Sequence, residues 1–308
     1  MKRRTRVLAV ALALVSLPVL VALADAVSFH SRNRSNGSLI SSGESREYLL
    51  YVPKSYDPGE PTPLVISMHG GAMWPAAQRD LSGWNRLAES QGLIVVYPAG
   101  LRLGGTGPSA WRLMRDGSDL TRDVRFISDL IDVLATDYSI DLTRIYADGL
   151  SNGGGMAYVL SCALSDRVAA VGMVAAAQML PASWCQEGRP FPMIAFHGTA
   201  DAIVPYEGGT TWVWNGSFPD VSEWVSDWAR RNLCAPDITE SRVADDVTRH
   251  DYINCPEDAP VTLYTIHGGG HTWPGGGPVP EWFLGPTSHS IDATATMWAF
   301  FREQRLSE

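Results

Sequence analysis

Three residues of this chain have the types and the order needed to turn a hydroxyl into a nucleophile: Ser151, Asp201 and His271. A serine hydroxyl is weak at neutral pH, so it needs a base within hydrogen-bond reach and a third group to orient that base. Ser151 stands in Gly149-Leu150-Ser151-Asn152-Gly153, which fits G-x-S-x-G, the sharp turn that lifts a serine between a strand and a helix. Glycine is needed beside such a serine because the turn is strained and side chains there would strike neighbouring backbone. The bare pattern is common. Its setting sharpens it, with an apolar run leading in and a Gly-rich helix start leading out. Asp201 lies in His197-Gly198-Thr199-Ala200-Asp201, and His271 lies in Gly268-Gly269-Gly270-His271-Thr272-Trp273. Each directly follows an apolar run that reads as a strand, and the carboxyl ends of strands are where open α/β sheets place their ligand sites.

Other residues compete for these roles. Asp201 could merely cap a turn, and Asp148 is a rival acid, but it precedes the serine and would end the strand. His197 precedes Asp201 and reads as a loop-fixing hydrogen bonder, while His267 would point from within or at the end of a strand. The order serine, acid, histidine therefore selects Asp201 and His271. Attack by Ser151 on a carbonyl would create an oxyanion, which needs two backbone N–H donors. Asn152, the residue after the nucleophile, is one expected donor. Gly71 of His69-Gly70-Gly71-Ala72 is the other, with Ala72 in reserve, and His69 is expected to hold that loop. Such chemistry calls for no cofactor and no metal, and the sequence has no C-x-x-C or Cys/His cluster that would hold a zinc.

Positioning these residues requires strand ends at one edge. Strands are predicted over 47–52, 64–68, 93–97, 144–147, 170–176, 192–196 and 261–266. Helices are predicted near 78–91, through Val124, Ile127, Ile131, Leu134 and Tyr138, over 152–164, around Trp224 and Trp228, and around Ile291, Ala295 and Trp298. Strands alternating with helices predict an α/β domain with a mostly parallel central sheet and helices on both faces. No internal repeat and no Pro- or Ser-rich linker divides it, so residues 46–308 are expected to form one catalytic domain.

The 308 residues carry a formal charge of −9 and 45% hydrophobic residues. The acidic balance argues against a nucleic-acid partner, which would call for clustered Lys and Arg. Residues 1–26 combine a basic start (Lys2, Arg3, Arg4, Arg6), an apolar run and a small-residue end, the pattern of a signal peptide. An uncleaved membrane anchor is the competing reading. Residues 27–45 are polar and read as a linker or surface entry. All four cysteines follow the leader, and an even count suits disulfides in a secreted or periplasmic setting, with three possible pairings.

The chain resembles the secreted polyhydroxybutyrate depolymerase and feruloyl esterase family of α/β-hydrolases. The resemblance runs from Arg46-Glu47-Tyr48 through Pro63-Leu64-Val65, His69-Gly70, Gly149-Leu150-Ser151 and His197-Gly198-Thr199-Ala200-Asp201. It continues through Gly270-His271-Thr272-Trp273-Pro274-Gly275-Gly276 to Ile291-Asp292-Ala293-Thr294. It implies the α/β-hydrolase fold, a carboxylic-ester hydrolase, and triad roles for Ser151, Asp201 and His271. It also implies oxyanion-hole roles for Asn152 and Gly71. The chain departs from the family where many members have a cysteine (Gly71) or a small residue (Asn152). No polymer-binding module accompanies the domain, which argues against action on crystalline polyester. The expected partner is an ester substrate, whether small, oligomeric or polysaccharide-linked. Among the loop tryptophans Trp74, Trp111, Trp212, Trp214, Trp273 and Trp282, Trp273 and Trp111 are the first choices for walling a substrate cleft. Of the three cysteine pairings, Cys162–Cys185 and Cys234–Cys255 are expected, because each brackets one local excursion and the resemblance points the same way.

Two rival readings share the residues. A serine peptidase related to the prolyl oligopeptidases would use the same triad but normally carries a large extra domain, for which there is no room. A catalytically silent binding protein on this scaffold would have no use for an intact serine, acid and histidine.

Overall fold

The structure is a computed structural model that describes residues 31–102, 109–113, 120–178, 185, 189–212, 214–256 and 259–307. The expected leader, residues 1–26, lies outside them. Among the described residues no helix is long and apolar enough to cross a membrane.

The chain opens with a hairpin, β1 (Gly37–Ser41) and β2 (Glu44–Tyr51), and then enters β3 (Thr62–Met68). Helices α1 (Pro75–Ser82) and α2 (Trp84–Gln91) lead to β4 (Ile94–Pro98). A two-stranded ribbon, β5 (Leu101–Arg102) and β6 (Ser109–Ala110), precedes α3 (Leu120–Asp137), β7 (Ile140–Leu150) and α4 (Asn152–Ala163). Then follow β8 (Ala170–Val174), β9 (Met193–Gly198), a second ribbon β10 (Gly209–Thr211) and β11 (Trp214–Phe218), and α5 (Val221–Arg231). The chain closes with β12 (Ile238–Ala244), β13 (Val247–Tyr252), β14 (Val261–Ile266), α6 (Glu281–Leu284) and α7 (Ala293–Phe301).

Ten strands form the main sheet in the order β1-β2-β4-β3-β7-β8-β9-β14-β13-β12. The central run from β4 to β14 is parallel, and both margins are antiparallel. Alternation along β3 sends Leu64, Ile66 and Met68 into one core with Phe126 and Ile127 of α3, Met156 of α4 and Trp224 and Trp228 of α5. Val65 goes to the opposite core with Trp84 and Ala88 of α2 and Met297 and Phe301 of α7. Both faces are covered, as the continuous apolar runs of the central strands require.

The structure differs from the sequence reading in several elements, among them the two short ribbons β5–β6 and β10–β11 and the helix α6, none of which was predicted. The predicted helix near 78–91 is two helices, because Gly83 takes φ 69° and its N–H returns to Arg79 O, ending α1 as a left-handed C-terminal glycine does. Residues 37–45 are not a linker: β1 pairs with β2 from Gly37↔Tyr48 to Ser41↔Glu44. The β12–β13 hairpin was not predicted, since six of the seven residues of β12 are exposed. An edge strand is held by its backbone ladder and needs no apolar face.

The structure joins Cys162 to Cys185 and Cys234 to Cys255. The second bridge brackets the β12–β13 hairpin, tying the end of α5 to the approach of β14. Closing loops with separations of 23 and 21 residues contributes about 3 kcal/mol each in the chain-entropy account. A buried pair, Arg46 to Asp123 at 2.8 Å, ties β2 to α3. The other oxygen of Asp123 accepts the Arg112 N–H at 3.0 Å, which fixes the strap that follows β6.

Candidate active site

β7 delivers Ser151. Its N–H donates to Val174 O at 2.8 Å, and its backbone is held at φ 53°, ψ −117°, strain of the kind that persists where surrounding structure enforces it. The flanking glycines are steric necessities. A Cβ on Gly149 would collide with the Gly153 backbone, and one on Gly153 with the carbonyls of Met68 and His69. Ser151 is thereby left half-exposed at the sheet's carboxyl edge, with the N-terminus of α4, a favourable end for negative charge, directly behind it.

β9 and β14, adjacent and parallel, deliver Asp201 and His271. His271 Nδ1 lies 2.8 Å from Asp201 Oδ2. Asp201 Oδ1 accepts the backbone N–H groups of Ile203 and Val204, both at 2.8 Å. Burial disfavours the charged carboxylate, but the hydrogen bonds from His197 and His271 outweigh it, so Asp201 is held well below the ordinary carboxylate range. The histidine loop is fixed by main chain, with His271 N–H on Leu284 O at 2.6 Å and Ala200 N–H on Gly269 O at 2.9 Å. Among the described residues no hydrogen bond joins Ser151 Oγ to His271 Nε2. Catalytic hydrogen bonds are often long or poorly aligned without substrate and tighten in the complex.

The competing residues fall elsewhere. His197 donates from Nε2 to Val204 O at 2.8 Å and lies 3.5 Å from Asp201 Oδ2, so it braces the acid. His267 contacts Thr248 Oγ1 on the sheet's antiparallel margin. Asp148 is fully buried against Ser67, whose Oγ donates to it at 2.7 Å. Burial pushes the Asp148 carboxyl up to about 8 against that hydrogen bond, so it is neutral at pH 7 and cannot orient a histidine by charge. The native state therefore holds one more proton here than the unfolded state between the unfolded value near 4 and about 8. Stability from this site must fall as pH rises through that window, by up to about 1.4 kcal/mol per unit, and level off above it. Denaturant titrations of wild type and Asp148→Asn across pH 4–8 should diverge in that sense; parallel curves would show that Asp148 ionises in the native protein.

The oxyanion loop follows β3. Ala72 N–H donates to Ser109 O at 2.8 Å, so the reserve donor is occupied. Neither Gly71 N–H nor Asn152 N–H donates to another described backbone group. A Cβ placed on Gly71 would lie 3.7 Å from Asn152 Cβ, so the two candidate donors are neighbours. His69 fixes the loop: Gly100 N–H donates to its Nε2 at 2.9 Å, so Nδ1 carries the proton donated to Gly70 O at 2.8 Å. Burial pushes its pKa down to about 4, so it stays neutral and structural.

Sequence reasoning missed the side chain of Asn152. Its Nδ2 donates to Trp111 O at 3.0 Å and its Oδ1 accepts Trp111 N–H at 2.6 Å. The Trp111 indole N–H in turn donates to His69 O at 2.9 Å. Asn152 thus clamps residues 109–113 to the nucleophile turn, and that segment holds the oxyanion loop at both His69 and Ala72. An amide with both a donor and an acceptor was the available signal; its partner lies 41 residues away. Asn152→Ala keeps both backbone donors but frees the strap. It should lower kcat roughly tenfold to a hundredfold, less than the loss of a whole donor, with KM little changed. Unaltered kcat would show that the clamp is not needed.

The two aromatics chosen for the cleft wall are corrected. Trp273 is 0% exposed and its indole N–H donates to Thr294 Oγ1 at 3.0 Å, so it plugs the histidine loop into the core against α7. Trp111 is 2% exposed and serves the strap. Trp74 is half-buried. Among the described side chains the exposed tryptophans are Trp212 and Trp282, at 72% and 89%; the side chain of Trp214 lies outside the described residues.

The family model described as "Esterase PHB depolymerase" matches residues 46–182. Feruloyl esterase C of Emericella nidulans is 31% identical over 212 residues, which cover 64% of this chain and 73% of that protein. The chain belongs to the polyhydroxybutyrate depolymerase and feruloyl esterase family. It is also 33% identical, over 165 residues, to a bifunctional acetylxylan esterase/xylanase of Neocallimastix patriciarum, covering 54% of this chain and 23% of that protein. The chain thus spans about a quarter of that relative's length. The solved structure of an acetyl xylan esterase from Aspergillus awamori superimposes with a TM-score of 0.62 at 14% identity, over 88% of this chain and 96% of that one. At that identity the likeness speaks for the α/β-hydrolase fold alone. Within this esterase family, Ser151 sits in the matched segment, while Asp201 and His271 lie beyond it.

Proposed function

We propose that this chain is an exported serine carboxylic-ester hydrolase whose substrate is an acyl group esterified to a polysaccharide, with the feruloyl and acetyl esters of its relatives as models. The observation that carries the reading is the buried His271–Asp201 contact at 2.8 Å, set at the same sheet edge as a serine on a strained turn. Ser151 Oγ attacks the ester carbonyl while His271 Nε2 takes its proton. The oxyanion rests on the N–H groups of Asn152 and Gly71. Collapse expels the alcohol, protonated by His271, and leaves an acyl group on Ser151. Water, deprotonated by the same imidazole, then releases the acid. The leader of residues 1–26 and the two disulfides support export to an oxidising compartment.

Purified enzyme assayed in parallel on methyl ferulate, acetylated xylan, a soluble hydroxybutyrate oligomer and a p-nitroanilide peptide tests the reading. The expected order places the ferulate and acetyl esters first and the amide last. Preferential cleavage of the amide would favour a peptidase, and preference for the hydroxybutyrate oligomer would move the substrate to polyesters.

A further inference from the structure

Among the tryptophans with described side chains two stand in the open, Trp212 and Trp282, and both neighbour Phe283. The ring centroids of Trp212 and Phe283 are 5.7 Å apart, as are those of Trp282 and Phe283, and Phe283 itself is 44% exposed. The other large exposed apolar residues, Ile40, Leu142, Leu233, Ile238, Val243 and Ile253, are aliphatic. Single exposed apolar residues need no explanation, but a contiguous aromatic patch marks an interaction surface.

The patch is built on the segments that hold the acid and the base. Trp282 and Phe283 lie on α6, whose last residue, Leu284, offers the carbonyl that accepts the His271 N–H at 2.6 Å. Thr211, next to Trp212, donates from Oγ1 to Ile203 O at 3.3 Å, and Ile203 N–H is one of the two donors on Asp201 Oδ1. The oxyanion loop, in contrast, follows β3 on the other side of β7. This placement has a chemical consequence. His271 must hand its proton to the departing alcohol, so the alcohol half of the ester lies on the histidine side, and the patch is anchored on that side.

We propose that Trp212, Phe283 and Trp282 form a rim platform that stacks against the sugar rings of the alcohol half of the substrate, beyond the scissile ester. This rests on the esterase reading above. Pyranose and furanose rings present apolar C–H faces with hydroxyl edges left in water, and an open indole offers a complementary large, rigid face with a polar N–H edge. The rings are tilted by 59° and 51° to their neighbours. Faces that turn from one ring to the next follow a chain of linked sugars better than the flat surface of a solid polyester.

Trp212→Ala, Trp282→Ala and the double variant test this, because both side chains are exposed and their loss leaves the core intact. The signature lies in which substrates suffer. On a feruloylated or acetylated xylo-oligosaccharide, kcat/KM of the double variant should fall roughly tenfold or more, as when an interface loses its aromatic anchors. On methyl ferulate, which has no sugar, it should be unchanged. Equal losses on both substrates, or no loss on either, would overturn the platform while leaving the esterase reading standing. A loss confined to amorphous hydroxybutyrate particles would overturn it in favour of a polyester surface. Calorimetric binding of unesterified xylo-oligosaccharide to Ser151→Ala protein, with and without the two tryptophans, decides the platform without turnover. Weakening by the double variant supports it, and indifference overturns it even if no ester is cleaved.

Discussion

Ser151→Ala and His271→Ala should each lower kcat on methyl ferulate by about 10⁶, and the double variant should be scarcely slower than either single one. The reason is that attack and proton transfer are one event. Without Oγ there is nothing for the imidazole to deprotonate, and without the imidazole the hydroxyl is no nucleophile. Residual turnover would come from the oxyanion donors Asn152 and Gly71, which are main-chain groups and survive both changes. Multiplicative losses, with the double variant far below the singles, would mean that the two residues act in separate steps. Folding should be unaffected by Ser151→Ala, because Ser151 makes no side-chain hydrogen bond to another described residue. His271→Ala removes one of the hydrogen bonds that hold the buried Asp201 charged, so its Tm should fall and kcat is compared below that melt.

Asp201→Asn should cost on the order of 10⁴ in kcat, with KM nearly unchanged. The hydrogen bonds specify how. Oδ1 accepts from Ile203 and Val204, so an asparagine is forced to place its carbonyl oxygen there and its NH₂ toward His271. A donor then faces Nδ1, which must become an acceptor, and the imidazole proton moves to Nε2. That tautomer cannot take a proton from Ser151. Kinetics with the variant, alongside a thermal melt, separate this from unfolding. A loss of only a few-fold would mean that Asp201 does not set the tautomer.

The triad candidates were legible because chain order and strand ends are local signals. An apolar run read as β9 or β14 places the residues just after it at the sheet's carboxyl edge, wherever the strands finally pair. The nucleophile turn was legible for the same reason, since Gly149 and Gly153 are demanded by backbone a few residues away and by the carbonyls of the adjacent β3. What depended on distant partners was not legible. Whether Trp273 faces substrate or core is decided by Thr294 on α7, and the use of Asn152 is decided by Trp111. The β12–β13 hairpin escaped for a different reason. Its outer strand buries almost nothing, so Glu240 and Arg242 at its centre look like loop. The two tryptophans that stand open, Trp212 and Trp282, could not be told by sequence from the buried Trp111 and Trp273, because all four lie between predicted elements in glycine-containing stretches.

The central claim is that Ser151 carries the acyl group. The most direct measurement is titration with a serine-directed phosphonate, followed by peptide mapping of the adduct. The account predicts one equivalent of label, all of it on the peptide that contains Gly149-Leu150-Ser151-Asn152-Gly153, with esterase activity lost in proportion and no label on Ser151→Ala protein. Label on any other serine, or full activity in protein labelled at Ser151, would contradict it.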